Sequence, residues 1–356
     1  RGFLHATHVR DRDTFERCLD EAIGRAALAS WVPVLQLSAP LDESGCSRLL
    51  ASMDNPAVDA WAFQYLALGR ATEHLADDLL AGLLQKLSIK PDGLSVAIDV
   101  LYMHIHGKDH PFGPRVTGVA HTLIASASLA KQHGRLDHEL SGLVKKFLCG
   151  PEGESTARTL LSTLRKKFDD HTFSRYDLIE TIVALFKVQP HLALDALVGD
   201  EDDTDNYYMR RSALAGGRRT SALSEISIDA LMDWCRAGTP QRWLRVAPLL
   251  PAFAVAVAES NQALKWSERV MTLLQNSPDP VAVGAVLVGL IEPSGWSGSR
   301  AEAIRERLPL LDQLADALGP ENANVVASWR SSVMLTIDRE TSRELEEHKA
   351  RNERFE

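Results

Sequence analysis

The feature that most constrains this chain is the period of its apolar residues. They recur at steps of three and four almost throughout, and alternating apolar–polar runs of four or more residues are nearly absent. From Asp13 to Leu28 the stripe runs through Phe15, Leu19, Ala22, Ile23 and Ala26, with Asp13 and Glu16 placed as a capping-box pair. From Ser260 to Gln275 it runs through Ala263, Trp266, Val270, Met271 and Leu274. From Thr172 to Val188, the density of Ile179, Ile182, Val183, Leu185 and Phe186 predicts a helix covered on more than one side. The expected fold class is all-α.

Start signals come at short intervals. Asn55-Pro56, Thr239-Pro240 and Asp279-Pro280 each set a capping side chain before a proline suited to a first helical turn. The punctuation divides the chain into roughly sixteen helical segments of about 10–20 residues. That number excludes a four-helix bundle and suits helical pairs stacked in a row. Three turns share a Val that opens an apolar helix: Asp54 to Val58, Ser277 to Val281 and Glu321 to Val325. The first resembles the turn of HEAT-type repeats. The spacing is irregular and no ~40-residue period survives. The reading is an α-solenoid of degenerate HEAT-like helical hairpins, an elongated right-handed stack, with an irregular helical domain as the competitor.

One composition break stands out. Residues 200–205 hold five acids in six positions, followed by Tyr207, Tyr208, Arg210, Arg211 and then Gly216-Gly217-Arg218-Arg219. The expected divisions are an N-terminal array at 1–199, a linker or loop at 200–222, a C-terminal block at 223–337 and a charged terminal helix or tail at 338–356. The tail should extend the last helix into solvent or dock on a partner.

Charge and cysteine usage narrow the setting. The formal net charge is −9, so the surface as a whole repels nucleic acid. No apolar run approaches the ~18 residues that cross a bilayer. Cys18, Cys46, Cys149 and Cys235 lie far apart with no CxxC pair, which fits a reducing compartment and a cytoplasmic protein. The chain opens at Arg1 without a methionine or a signal-peptide pattern. The expectation is a C-terminal piece of a longer polypeptide, by design or by processing.

Motifs that carry chemistry are few. His104, His106, Asp109 and His110 fall within seven residues and could ligate zinc if a loop folded back. However, His104 and His106 are two apart and point differently on a helix, and the flanking Gly and Pro residues mark a helix end. The acidic run lacks a calcium loop's glycine and its terminal glutamate, having Asp205 and Arg211 instead. Arg210, Arg211, Arg218, Arg219, Arg236, Arg242 and Arg245, interleaved with Tyr207, Tyr208, Trp234 and Trp243, are the one basic and aromatic concentration. A nucleic-acid groove needs such residues, but the net charge opposes it and both tryptophans fall on apolar helical faces. No phosphate-binding loop, dinucleotide fingerprint or H-E-x-x-H helix occurs. Gly295 to Ser299 only imitates a nucleophile elbow, and Ser128 to Lys131 matches S-x-x-K, a pattern short enough to arise by chance. No cofactor is called for.

The turn from Gly295 to Arg300 is the most specific local feature. Ser299 stands three before Glu302, a capping-box pair opening a helix through Ile304, Leu308 and Leu311, with Pro309 expected to kink it. Trp296 is expected to plug the gap near Val286 and Leu290, its truncation then costing ~3–5 kcal/mol. The alternative has Trp296 and Arg300 facing outward to clasp a partner.

The stretch Trp266 to Leu311, with Ser277-Pro278-Asp279-Pro280, Pro293 to Arg300 and Arg307 to Leu311, resembles the C-terminal helical region of large bacterial NACHT/STAND-type anti-phage defence proteins. The charged ending Arg351 to Glu356 is similar too. The resemblance covers about the last 150 residues and implies a sensor or scaffold array. It does not carry over nucleotide hydrolysis or effector activity, because neither motif is in this chain. The expected function is a non-catalytic scaffold or recognition module that binds protein partners. The alternatives are a nucleic-acid sensor using the 210–245 arginines and a hydrolase or nuclease with a scattered active site.

Overall fold

The computed structural model describes residues 2–127, 135–170, 172, 178–200, 204–215, 221–254 and 264–353. Among them lie nineteen α-helices and five short 3-10 helices, and no strand. The one β-like feature is an isolated bridge between Phe253 and Trp266. The chain divides into two units, residues 1–167 with 176–192, and residues 168–175 with 193–356. The division falls inside the helix Pro190–Leu197.

In the first unit, successive helices pack on their neighbours in sequence. Glu43–Met53 meets Asp77–Ser88, which meets Gly93–Ile105 and Pro114–Ser126; Leu136–Phe147 then packs on both of these and on Ile179–Val188. Apolar stripes explain the order: Leu80, Leu83, Leu84 and Leu87 on one helix, and Val96, Ile98, Val100 and Leu101 on the helix it packs against, are all buried. Gly93–Ile105 is buried around most of its circumference and forms the spine of the unit.

In the second unit the same adjacency runs from Ile228–Arg236 through Glu268–Asn276 and Pro280–Val288 to Pro309–Leu318. The 30-residue helix Ala323–Asn352 packs on Arg300–Arg305 and Pro309–Leu318. Its buried positions Val326, Val333, Ile337 and Glu340 are seven, four and three residues apart, the spacing of a single seam.

Several expected boundaries move, each for a local reason. The first long helix is capped by Asp11, whose carboxylate accepts from the Thr14 backbone at 3.0 Å and the Thr14 hydroxyl at 2.6 Å. Glu16 is drawn away to Arg48 instead of closing a capping box. Asn55 Oδ1 accepts from the Ala57 amide at 2.9 Å, an Asx turn that leads into the 3-10 helix Ala60–Ala67 and not into an α-helix. The stripe at Thr172 becomes a helix only from Ile179. That at Ser260 begins at Glu268, capped by Ser267, because Trp266 is held in the bridge; 255–263 lie outside the described residues. The 200–222 segment is not a plain linker, since it contains the helix Thr204–Leu214. Residue 338 is no boundary either: it falls in the middle of the terminal helix. Pro309 does not kink a helix but starts one, its missing N–H costing nothing at the first position.

Candidate functional site

The turn expected to carry Trp296 and Arg300 is built from both sides. Ser299 caps the helix Arg300–Arg305 through the Glu302 amide at 3.0 Å. Glu344 on the terminal helix accepts from Ser299 Oγ at 2.7 Å, the Arg300 amide at 2.6 Å and the Ala301 amide at 3.1 Å. The Ser299 hydroxyl, then the Ala301 amide, hold its carboxyl below the usual carboxylate range. Arg300 donates to Glu340 at 2.7 Å and to Glu292 at 3.0 Å. Its guanidinium lies 5.0 Å from the centre of the Trp296 ring.

Trp296 therefore does not plug the gap at Val286 and Leu290; it is 42% exposed. Arg307 instead donates to the carbonyls of Leu290 and Ile291 at 3.2 and 3.3 Å. The indole covers the Arg300 ion-pair cluster from outside. Trp296→Ala is accordingly expected to cost about 1 kcal/mol, the scale of an exposed cation–π contact. A thermal melt of that variant should lie within a few degrees of the wild type.

The basic concentration in the second unit is not an open groove. Arg210 is buried and pairs with Asp169 at 2.5 Å. Arg245 is buried, donates to the Val198 carbonyl at 3.1 Å and stacks at 4.7 Å on Tyr207, whose hydroxyl donates to the Arg245 carbonyl. Arg242 pairs with Asp195 and Asp200 and lies 4.2 Å over the buried ring of Trp234. Backbone carbonyls and partly exposed carboxylates recruit these cations, which removes them from any phosphate-facing surface. Arg211 sits by the exposed Tyr208 ring at 5.7 Å. Arg218 and Arg219 lie outside the described residues.

The histidines at 104–110 are not brought together. His106 and His110 are exposed, while His104 is buried in the first unit's spine helix. His104 Nδ1 meets Thr72 Oγ1 at 3.1 Å, and its Nε2 meets Lys108 Nζ at 3.1 Å. Burial, reinforced by the Lys108 charge, pushes the imidazole pKa down to about 4. It is therefore neutral at pH 7, with Nε2 accepting from the ammonium and Nδ1–H donating to Thr72. Lys108 Nζ also donates to the Glu73 carbonyl at 3.2 Å. His104 and Lys108 thus tie down the 68–75 loop from inside.

That loop is one wall of a cleft of about 510 Å³. Its other wall is the 37–41 segment, fixed by His5 Nδ1 against the Ser38 carbonyl at 3.0 Å. The 3-10 helix Ala60–Ala67 delivers Tyr65 to the cleft, and Leu68 follows three residues later on the same side. They are 41% and 56% exposed. Gly69 and Arg70 both take left-handed backbone, φ 63° and 58°. For Arg70 that conformation is unfavourable by ~1–2 kcal/mol, and it turns the guanidinium to the rim beside Glu73 at 3.3 Å. A cleft of this size with apolar and mixed-charge lining suits a short extended ligand. Sequence reasoning missed it because its two walls are more than twenty residues apart in the chain. The available signals were an apolar 3-10 run ending in Leu68-Gly69-Arg70 and a histidine inside an apolar helix.

The class defined is an all-helical protein with a preformed surface cleft. Comparison with protein-family models, with curated proteins and with solved structures gives no match. No helix among the described residues is long and apolar enough to cross a membrane.

Proposed function

We propose that this chain is a non-catalytic recognition module that binds an extended protein segment in the cleft between residues 37–41 and 65–74. The carrying observation is the exposed Tyr65–Leu68 edge on a cleft with one wall held at the Ser38 carbonyl by His5, itself at the cleft, and the other tied from inside by His104 and Lys108. Fixed walls lower the ordering cost of binding, and an aromatic–aliphatic edge beside Arg70 supplies anchor and polar rim. The neighbour-on-neighbour packing of helices supports a degenerate HEAT-like array, whose many loops and faces suit recognition. The resemblance of about the last 150 residues to NACHT/STAND-type arrays supplies the setting, a sensor or scaffold within a bacterial cytoplasmic defence protein.

Selection of a random peptide library on the immobilised chain tests this reading. Peptides enriched on the wild type should bind Tyr65→Ala/Leu68→Ser roughly tenfold or more weakly, with no change in melting temperature. No enrichment over bare support, or equal binding to both forms, would overturn it.

A further inference from the structure

The rim of the Tyr65–Leu68 cleft carries a residue that the apolar edge does not explain. Arg70 follows Gly69 in left-handed backbone, at φ 58° after φ 63°. Glycine takes that conformation freely, whereas an arginine takes it against a clash between its Cβ and the backbone. The contacts of the Arg70 side chain within the fold do not offset this cost. The side chain is 75% exposed, and its one polar partner among the described residues is Glu73, met through Nη1 at 3.3 Å. An exposed pair three residues apart adds little to stability.

The polar groups around Arg70 define what the cleft can accept. Glu73 is the one carboxylate in its lining, and Arg70 already engages it. On the far side of the loop, the Lys108 ammonium donates to the Glu73 carbonyl and also feels the Glu73 charge. The Nε and Nη2 edge of Arg70 keeps its donors free among the described residues. Two imidazoles, His5 and His74, share the lining. Across the cleft, the Ser38 hydroxyl is buried without a hydrogen-bond partner among the described residues. Both walls therefore carry donors, and neither carries an unengaged carboxylate.

Resting on the cleft reading above, we propose that Arg70 sets its specificity: the bound protein segment places an Asp or Glu side chain at the Arg70 rim, beside an apolar residue seated on Tyr65 and Leu68. A carboxylate matches the free guanidinium edge with two parallel hydrogen bonds, a fit that a neutral amide or a lone carbonyl does not reproduce. The whole-chain charge of −9 does not oppose this. Exposed charges more than about 8 Å apart are largely screened at physiological ionic strength, so the groups at the rim decide the contact. A basic segment would meet Arg70 directly, with the one counter-charge already engaged.

The test uses the full chain and the random peptide library. Peptides enriched on wild type should carry an acidic residue, and replacing it by the matching amide should weaken binding roughly tenfold. Arg70→Gly should lose the same tenfold yet melt at or above the wild-type temperature, because glycine relieves the left-handed backbone. Arg70→Glu should enrich peptides bearing Lys or Arg instead. Enriched peptides that lose affinity for Tyr65→Ala/Leu68→Ser but show no preference for an acid would overturn this inference and leave the cleft reading standing. No enrichment at all would overturn both. A fall in melting temperature for Arg70→Gly would make Arg70 a structural residue and overturn the inference too.

Discussion

Trp234→Ala is expected to cost the second unit about 4 kcal/mol, within the range for a fully buried aromatic. The ring is buried, its Nε1–H donates to Asp195 Oδ1 at 2.7 Å, and Arg242 lies against its face at 4.2 Å while also donating to the Trp234 carbonyl. Truncation opens a cavity and also strips one carboxylate of its donor and one guanidinium of its stacking surface. The midpoint of the transition that includes the second unit should fall by roughly 10 °C. Trp296→Ala in the same unit serves as the contrast, because the other tryptophan covers a surface cluster. A fall of only a few degrees for Trp234→Ala would mean that this ring is not the internal support described here.

Glu139→Gln should stabilise the protein, and increasingly so as the pH rises. In the folded chain Glu139 holds its proton up to about pH 7, against a reference of 4.5. Between those values the folded state binds more protons than the unfolded state, so stability falls as pH rises through the window. The glutamine resembles the protonated acid and does not titrate. The variant should match wild type near pH 4.5 and exceed it by a growing margin as pH rises toward 8. His104 contributes a slope of the opposite sign. Its folded value of about 4 lies below the reference of 6.5, so its contribution is complete above 6.5 and is lost as pH falls toward 4. With Glu139 replaced, that slope should stand out as acid-side destabilisation in denaturant titrations between pH 4 and 6.5. A variant less stable than wild type at pH 8 would contradict a Glu139 carboxyl pushed up by burial and by the Asp99 charge.

The helical class and several caps were legible in the sequence because both are local. Asp279 caps the helix Pro280–Val288 through the Ala282 amide at 2.9 Å, and Ser299 caps Arg300–Arg305, as their spacing predicts. Trp234 and Trp243 are buried, as their apolar helical faces predict. Features decided by distant partners were not legible. Glu344 reaches back more than forty residues to the Ser299 turn, and Arg307 turns to the Leu290 and Ile291 carbonyls, so Trp296 is left outside. The arginines at 210, 242 and 245 looked like a basic surface because composition does not show which carboxylates and carbonyls lie beneath them. The cleft was hidden for the same reason: the His104–Thr72 contact that shapes it spans 32 positions.

Hydrogen–deuterium exchange of the whole chain, with and without a peptide from the library selection, tests the central claim most directly. Bound peptide should slow exchange in 37–41 and 65–74 and leave the rest of the chain unchanged. Slowed exchange confined to the second unit, around Arg210 to Arg245 or Trp296, would contradict the assignment of recognition to the Tyr65–Leu68 cleft.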